Sequence, residues 1–265
     1  MLVVGELINS SIKRIGEAIE RKDREFIVKV AREQQEAGAD YIDANAATTS
    51  SEEDNLEWLV SVIQDEIDAP LCLDSTNPEA LRRALRKHRG SALVNSVSLE
   101  KGRMENILPL VKEYDADLVA LCMSDEGIPD TAARRLEMAR RSAAVIQSYG
   151  ISLQKVYFDP LVIPVSVNHR AGAIFLEALE KIAVELPDAG TICGLSNISH
   201  GLPAPRLINE TFLVLALGKG LKGAIINPLD DFMMSLIKTG EMLTGQDHYC
   251  KSYLRAFRQG KITEQ

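Results

Sequence analysis

The sequence predicts a single (β/α)8 barrel of the TIM type, an α/β fold, formed by residues 1–265. Eight short apolar runs rich in branched residues recur along the chain, with amphipathic stretches of helical spacing between them. Such runs are typical of parallel strands that are buried on both faces. Strict alternation with helices favours a parallel sheet with right-handed crossovers, and eight such units favour closure into a barrel.

The elements follow in order. The predicted strands are 3–9, 41–45, 71–75, 92–96, 118–123, 156–160, 192–197 and 224–228. The predicted helices are 26–37, 56–67, 78–87, 104–114, 132–149, 172–186, 209–217 and 231–243. Gly38 is a plausible stop for the first helix. No linker or change of composition divides the chain, which favours one domain, and an open doubly wound sheet is the alternative fold.

Nearly every predicted strand ends in an acid or an amide, and the fifth is the exception. Asp43 and Asn45 are two apart on a strand and therefore point the same way, while Asp74 and Asn95 end consecutive strands. Barrel enzymes carry their chemistry at this end of the strands. Carboxylates accept hydrogen bonds and amides both donate and accept, a mixture that suits a flat heterocycle. Helix caps or turns would explain one such residue, but a ring of six or more favours a ligand site.

Composition narrows the class of protein. A net charge of -8 argues against nucleic acid as a partner, and no apolar run is long enough to span a bilayer. The start of the chain lacks a signal-peptide pattern, and the cysteines suit reduced packing residues, so we expect a cytoplasmic protein. We expect no metal of its own, because the rim lacks a carboxylate–histidine cage. The Gly218–Gly223 segment has the letters of a dinucleotide fingerprint but follows a helix, so we interpret it as a turn.

A set of motifs gives the chain a family resemblance. The motifs occur in order along nearly the whole sequence and are Gly5–Asn9, Asp43–Asn45, Asp74–Thr76, Asn95–Ser96, Met123–Pro129, Asp159–Leu161 and Gly194–Ser199. With these motifs the chain resembles the pterin-binding methyltransferases, and most nearly the methyltetrahydrofolate:corrinoid protein methyltransferases. That barrel family is related to the folate module of cobalamin-dependent methionine synthase and, more distantly, to dihydropteroate synthase.

The resemblance implies specific roles in one-carbon metabolism. Asp74, Asn95 and Asp159 would hold the edge of the pterin, and Asn197 would be the catalytic residue beside N5. It implies methyl transfer, in either direction, between N5 of tetrahydrofolate and the cobalt of a corrinoid, with tetrahydrofolate or 5-methyltetrahydrofolate as the substrate. It also implies a homodimer, and a separate corrinoid protein that carries the cobalamin. The further residues of the same pocket would be Glu6, Asp43, Asn45, Ser96 and Met123.

Two alternatives remain open at this point. A dihydropteroate synthase-like enzyme must hold a pyrophosphate, yet the segment after the seventh run is Ser196–Ser199 and the next basic residue is Arg206. A non-catalytic folate-binding subunit of a methyltransferase complex would not need an amide at N5, so Asn197 favours the enzyme over the binding subunit.

Overall fold

The computed structural model describes residues 1–264 and confirms the barrel. Within these residues eight parallel strands form one sheet in the order β7-β6-β5-β4-β3-β2-β1-β8. Lys222 and Ile225 donate backbone hydrogen bonds to Thr191 and Cys193 at 3.2 and 2.9 Å, which joins the two ends of the sheet. The strands are β1 Leu2–Gly5, β2 Tyr41–Asn45, β3 Leu71–Asp74, β4 Leu93–Leu99, β5 Asp117–Ser124, β6 Val156–Asp159, β7 Gly190–Thr191 and β8 Gly223–Ile226.

Helices surround the sheet and begin at the caps that their sequences provide. Asp23 and Thr131 each accept a bond from a backbone N–H in the first turn of the helix they precede, and Asn77 does the same in front of Pro78. The helices are α1 Lys13–Glu20, α2 Arg24–Glu36, α3 Glu52–Gln64, α4 Pro78–Lys87, α5 Arg103–Glu113, α6 Ala132–Ser148, α7 Ala171–Glu185, α8 Pro205–Leu217, α9 Asp231–Leu243 and α10 Lys251–Arg258. None of these is long and apolar enough to cross a membrane.

Apolar side chains fill the barrel toward the N-terminal ends of its strands. Val4, Cys72, Leu93 and Val119 form one buried cluster with Tyr41. The Tyr41 hydroxyl donates to Asp117 at 2.9 Å and so links β2 to β5 across this end. The N-terminal end is therefore packed, and the polar residues two positions further along β3 and β4 lie at the open C-terminal end.

The seventh strand differs from the sequence prediction. Residues 192–197 were expected to be a strand, but β7 comprises Gly190–Thr191 and the chain enters a short 3-10 helix at Leu195–Ser199. A side chain at Gly190 would meet the Tyr157 ring at 2.3 Å, so only glycine allows this strand to approach β6. Asn197 therefore lies on a helical turn above the barrel and not at the end of a strand.

Candidate functional site

Three neighbouring strands bring the first site residues together. The register pairs Asn45 with Asp74 across β2 and β3, and Asp74 with Asn95 across β3 and β4. The Asn45 Nδ2 group donates to Asp74 Oδ2 at 2.9 Å. The sequence prediction that Asp74 and Asn95 lie side by side is thus confirmed.

The orientation of the Asn45 amide follows from its other contacts. Its Oδ1 atom accepts from the Ser10 hydroxyl at 2.9 Å and from the Ala47 backbone N–H at 3.1 Å. Because the Ala47 backbone N–H can only donate, Oδ1 must face it and the Nδ2 group faces Asp74. Ser10 is a site residue that sequence reasoning missed, since nothing in its local pattern shows a partner 35 positions away.

Asp159 lies on the other side of the barrel, at the end of β6, and is buried. Its Oδ1 atom accepts from the Leu161 backbone N–H at 2.7 Å. Burial raises the pKa of Asp159 to about 7, although the Leu161 hydrogen bond and the positive charge of Arg135 both lower it. Near neutral pH this carboxyl can therefore hold or release a proton.

Burial raises the pKa of Asp43 on β2 and of Glu6, which directly follows β1. Burial, together with the charges of Asp74 and Glu6, raises the pKa of Asp43 well above its ordinary range, and a hydrogen bond from Cys72 opposes the shift. Within residues 1–264 the buried Oδ1 atom of Asp43 has no hydrogen-bond partner. Burial also raises the pKa of Glu6, against a long hydrogen bond of 3.5 Å from the Ser196 hydroxyl. A raised pKa favours the protonated carboxyl, which can donate a hydrogen bond as well as accept one.

Asp74, the last residue of β3, is half-buried. Burial raises its pKa, the Asn45 amide lowers it, and the nearby Glu52 raises it further. Asp43, Asp74 and Asp159 lie on strands near their C-terminal ends, and acids with perturbed pKa values are common at functional sites.

Asn197 and Ser196 are exposed above the barrel opening. A Cβ atom on Gly194 would lie 3.0 Å from the Asn197 Nδ2 atom, so the amide folds back over the end of the seventh strand segment. Ser196 reaches down to Glu6 of the segment that follows β1. The helical turn thus places Ser196 next to Glu6 and leaves the Asn197 amide exposed.

Ser96 and Met123 are half-buried near the same end of β4 and β5. The pairing of β4 with β5 shifts register between Asn95 and Val97, and the Asn95–Ser96 peptide bond is cis. Register shifts of this kind are common next to active sites, where they change the direction of a side chain.

A cavity of about 240 Å³ adjoins the site on the α8 side and is lined in part by Glu6 and Ser196. Arg206 also lines it and is paired with Glu210 at 2.7 Å and with Asp230 at 3.3 Å. The basic residue that the sequence placed beyond the site is therefore adjacent to it, but two acids already neutralise its charge. Among residues 1–264 no group of three or more histidine, cysteine or acidic side chains is arranged to hold a metal.

Comparison with known proteins shows the family to which this chain belongs. The model of the pterin binding enzyme family matches residues 5–227, and the chain belongs to this family. It is 36% identical to a methylcorrinoid:tetrahydrofolate methyltransferase of Eubacterium limosum, over 99% of this chain and 98% of that protein. It is also 30% identical to the methionine synthase of Mycobacterium tuberculosis over 86% of this chain, which spans 20% of that larger enzyme.

Solved structures agree on the fold. Dihydropteroate synthase of Clostridium difficile superimposes with a TM-score of 0.71 at 17% identity, covering 92% of this chain and 96% of that one. The Yersinia pestis dihydropteroate synthase in a sulfonamide complex gives 0.71 at 14% identity, with 93% and 94% covered. At such identities the likeness concerns the barrel alone.

Proposed function

We propose that this protein transfers a methyl group between N5 of tetrahydrofolate and the cobalt of a corrinoid carried by a separate protein. Similarity over the full length of a methylcorrinoid:tetrahydrofolate methyltransferase is the observation that carries this proposal. The name of that relative favours tetrahydrofolate as the methyl acceptor. The perturbed acids and the exposed amide around one barrel mouth support the same assignment.

Each residue has a role in this proposal. The pterin edge presents N–H donors, and ionised Asp159 accepts two of them while Asp74 and Asn95 complete the contact. Asn197 hydrogen-bonds to N5 from above. The further residues Glu6, Asp43, Asn45, Ser96 and Met123 line the pocket. The whole chain then forms one pterin-binding domain.

The chemistry requires little covalent help from the protein. In the direction of folate methylation, the N5 lone pair attacks the methyl carbon, the carbon–cobalt bond breaks, and its electron pair stays on cobalt as cobalt(I). N5 then loses a proton. In reverse, N5 must first gain a proton so that it leaves as a neutral amine, and this proton comes through water or a neutral carboxyl. The protein's contribution is to position both partners and to stabilise the charge on N5.

A dihydropteroate synthase activity is not proposed. It would require a basic group for a pyrophosphate at Ser196–Ser199, where this chain has none, and Arg206 is occupied by Glu210 and Asp230. A measurement of turnover distinguishes the enzyme from a folate-binding subunit that does not catalyse transfer.

The first test uses Asp159→Ala and Asn197→Ala with tetrahydrofolate and free methylcobalamin. We expect Asp159→Ala to weaken folate binding about 100-fold, because two charge-assisted hydrogen bonds are lost. Asn197→Ala should slow single-turnover methyl transfer about 100-fold, with less than about a threefold change in affinity. Titration calorimetry gives the affinity, and the absorbance change of the cobalamin gives the rate.

The matched control is Asp188→Ala, an exposed acid at the opposite end of the barrel. Small, equal effects in both site variants would place the pterin elsewhere. Tight folate binding by the wild-type protein without any transfer would instead identify a binding subunit.

The assembly and location follow the same assignment. We propose a homodimer that packs through the outer face of α8, where Leu207, Val214 and Leu215 are 66%, 47% and 52% exposed and lie at helical spacing. In a symmetric dimer one patch serves both copies.

We also propose a cytoplasmic protein, because all four cysteines in the described chain are unpaired and three of them are buried.

A further inference from the structure

Arg135 of α6 is the bulkiest fully buried side chain within residues 1–264, with 1% of its surface exposed. Burial of a guanidinium is costly unless its donors are satisfied. Nε donates to the Pro129 carbonyl at 2.9 Å, and Nη1 donates to the carbonyls of Pro160 and Leu161 at 2.9 and 2.7 Å. Three backbone oxygens from two loops therefore hold one cation in the protein interior.

Two of these oxygens belong to the residues that directly follow Asp159. Leu161 contributes twice to this arrangement, since its carbonyl accepts from Arg135 while its N–H donates to Asp159 Oδ1 at 2.7 Å. Leu161 has a φ of 69°, a left-handed conformation that costs roughly 1 kcal/mol in a residue with a side chain. Contacts with Arg135 stabilise this turn and thereby the direction of the Asp159 carboxyl.

Arg135 also acts on Asp159 through its positive charge. The thiols of Cys122 on β5 and Cys193, two residues after β7, lie near this carboxyl, and burial raises the pKa of both thiols, which keeps them neutral. Burial also raises the pKa of Asp159, whereas Arg135 acts in the opposite direction. Asp130, in the loop before α6, acts on Arg135 rather than on Asp159.

We propose that Arg135 is a positioning residue for Asp159, which fixes the turn that aims the carboxyl and supplies the positive charge that favours its ionised form. Only that form can accept both N–H donors of a pterin edge. The proposal rests on the proposed function for its ligand, but the effect on Asp159 itself needs no ligand.

The test separates charge from geometry with two substitutions. Arg135→Gln keeps amide donors but removes the charge, and Arg135→Lys keeps the charge but replaces the planar fork with a single ammonium. Arg134→Gln, at the exposed neighbouring position of the same helix, is the matched control. The carbon-13 resonance of the Asp159 carboxyl, assigned with Asp159→Asn, gives the protonation midpoint without ligand. Calorimetric titration with tetrahydrofolate between pH 6 and pH 9 gives the affinity.

We expect Arg135→Gln to raise the midpoint by about one pH unit and to weaken folate binding about fivefold at pH 7, with recovery toward pH 9. Arg135→Lys should keep the midpoint near that of the wild type and bind less tightly at every pH. A midpoint in Arg135→Gln equal to that of Arg134→Gln would overturn the charge effect.

Should Arg135→Gln fail to fold, Arg135→Lys decides, because wild-type affinity at pH 9 would overturn the positioning role. Failure of the wild-type protein to bind tetrahydrofolate would refute the proposed function. The carboxyl resonance would still report whether Arg135 acts on Asp159.

Discussion

At the scale of single residues, several acidic side chains are buried at a cost in stability. Burial raises the pKa of Glu6, Asp43, Asp74 and Asp159, all at the same end of the barrel. A fold optimised only for stability would place apolar residues at these positions. Burial also raises the pKa of Asp117 at the opposite end, so it is the number of such acids at the C-terminal end that supports the proposed site.

Asp159→Asn should stabilise the protein in a pH-dependent way. The pKa of Asp159 is about 7 in the native state against an ordinary value of 3.8, so the native state holds its proton more tightly. Stability is therefore lost as the pH rises from about 4 to about 7, and the loss is complete above the native pKa. The variant does not titrate, so its gain over the wild type should be about 2 kcal/mol larger at pH 8 than at pH 5.

Urea unfolding at the two pH values measures this gain. Asn197→Ala is the control, because it removes no titrating group and its difference from the wild type should not change with pH. An equal gain for Asp159→Asn at pH 5 and pH 8 would contradict the raised pKa.

Sequence reasoning succeeded for residues whose position follows from strand geometry. Asp74 and Asn95 could be placed side by side because parallel strands end at one edge of a sheet, and the register confirms it. Arg135 and Ser10 could not be found, since their partners lie far along the chain and their local patterns are those of an ordinary helix and loop. The assigned contacts of each site residue with a pterin stay predictions.

Elements were predictable where burial creates a periodic pattern. The helix from Asp231 to Leu243 was predicted with its observed bounds. In contrast, α10 was missed because none of its residues is buried, and α1 because it is only eight residues long. The 3-10 helix Leu195–Ser199 was mistaken for the end of a strand, since a short apolar run does not distinguish the two.

Gly194→Ala should impair catalysis through this 3-10 helix. The new Cβ atom would lie 3.0 Å from the Asn197 Nδ2 atom and push the amide aside, whereas the Gly194 backbone at φ -75° accepts any residue. We expect single-turnover transfer to fall about tenfold, with less than about a twofold change in folate affinity, because positioning is lost but the pterin edge is untouched. Stopped-flow absorbance with methylcobalamin measures the rate.

Gly172→Ala is the matched control, because its Cβ would make ordinary contacts of 3.7 Å with Ile198 and Val165. It should transfer methyl groups at the wild-type rate. A Gly194→Ala variant as fast as this control would remove Asn197 from the reaction.

Across the entire barrel, the apolar cluster and the proposed site occupy opposite ends. The N-terminal end is filled by the cluster around Val4 and Tyr41, and the C-terminal end carries the polar ring. This division was predictable from the order of apolar and polar residues within each strand. The closure of the sheet between β7 and β8 was predicted only from the number of repeats, since no local pattern specifies which edges meet.

The proposed dimer is tested by a double substitution on α8. Leu207→Glu with Val214→Glu places two charges on the apolar face and should convert a dimer into a monomer, because an isologous contact brings each charge in twice. Light scattering after size exclusion measures the mass. Phe257→Glu, an exposed apolar position on α10, is the control and should remain dimeric. A monomeric wild-type protein would contradict the proposed assembly.

The brevity of β7 has a consequence for motion. Two residue pairs join this strand to β6, and its contacts with the β8 side are the backbone hydrogen bonds from Lys222 and Ile225 and the bridge between Gly194 and Ile225. β1 pairs with β8, and β2 with β3, through four residue pairs each, so the β7 seam has a shorter ladder than these, and we expect local unfolding of the barrel to involve it early. Asn197 follows on the same segment, so under the proposed function this weakly joined wall is the side from which a corrinoid would approach and depart.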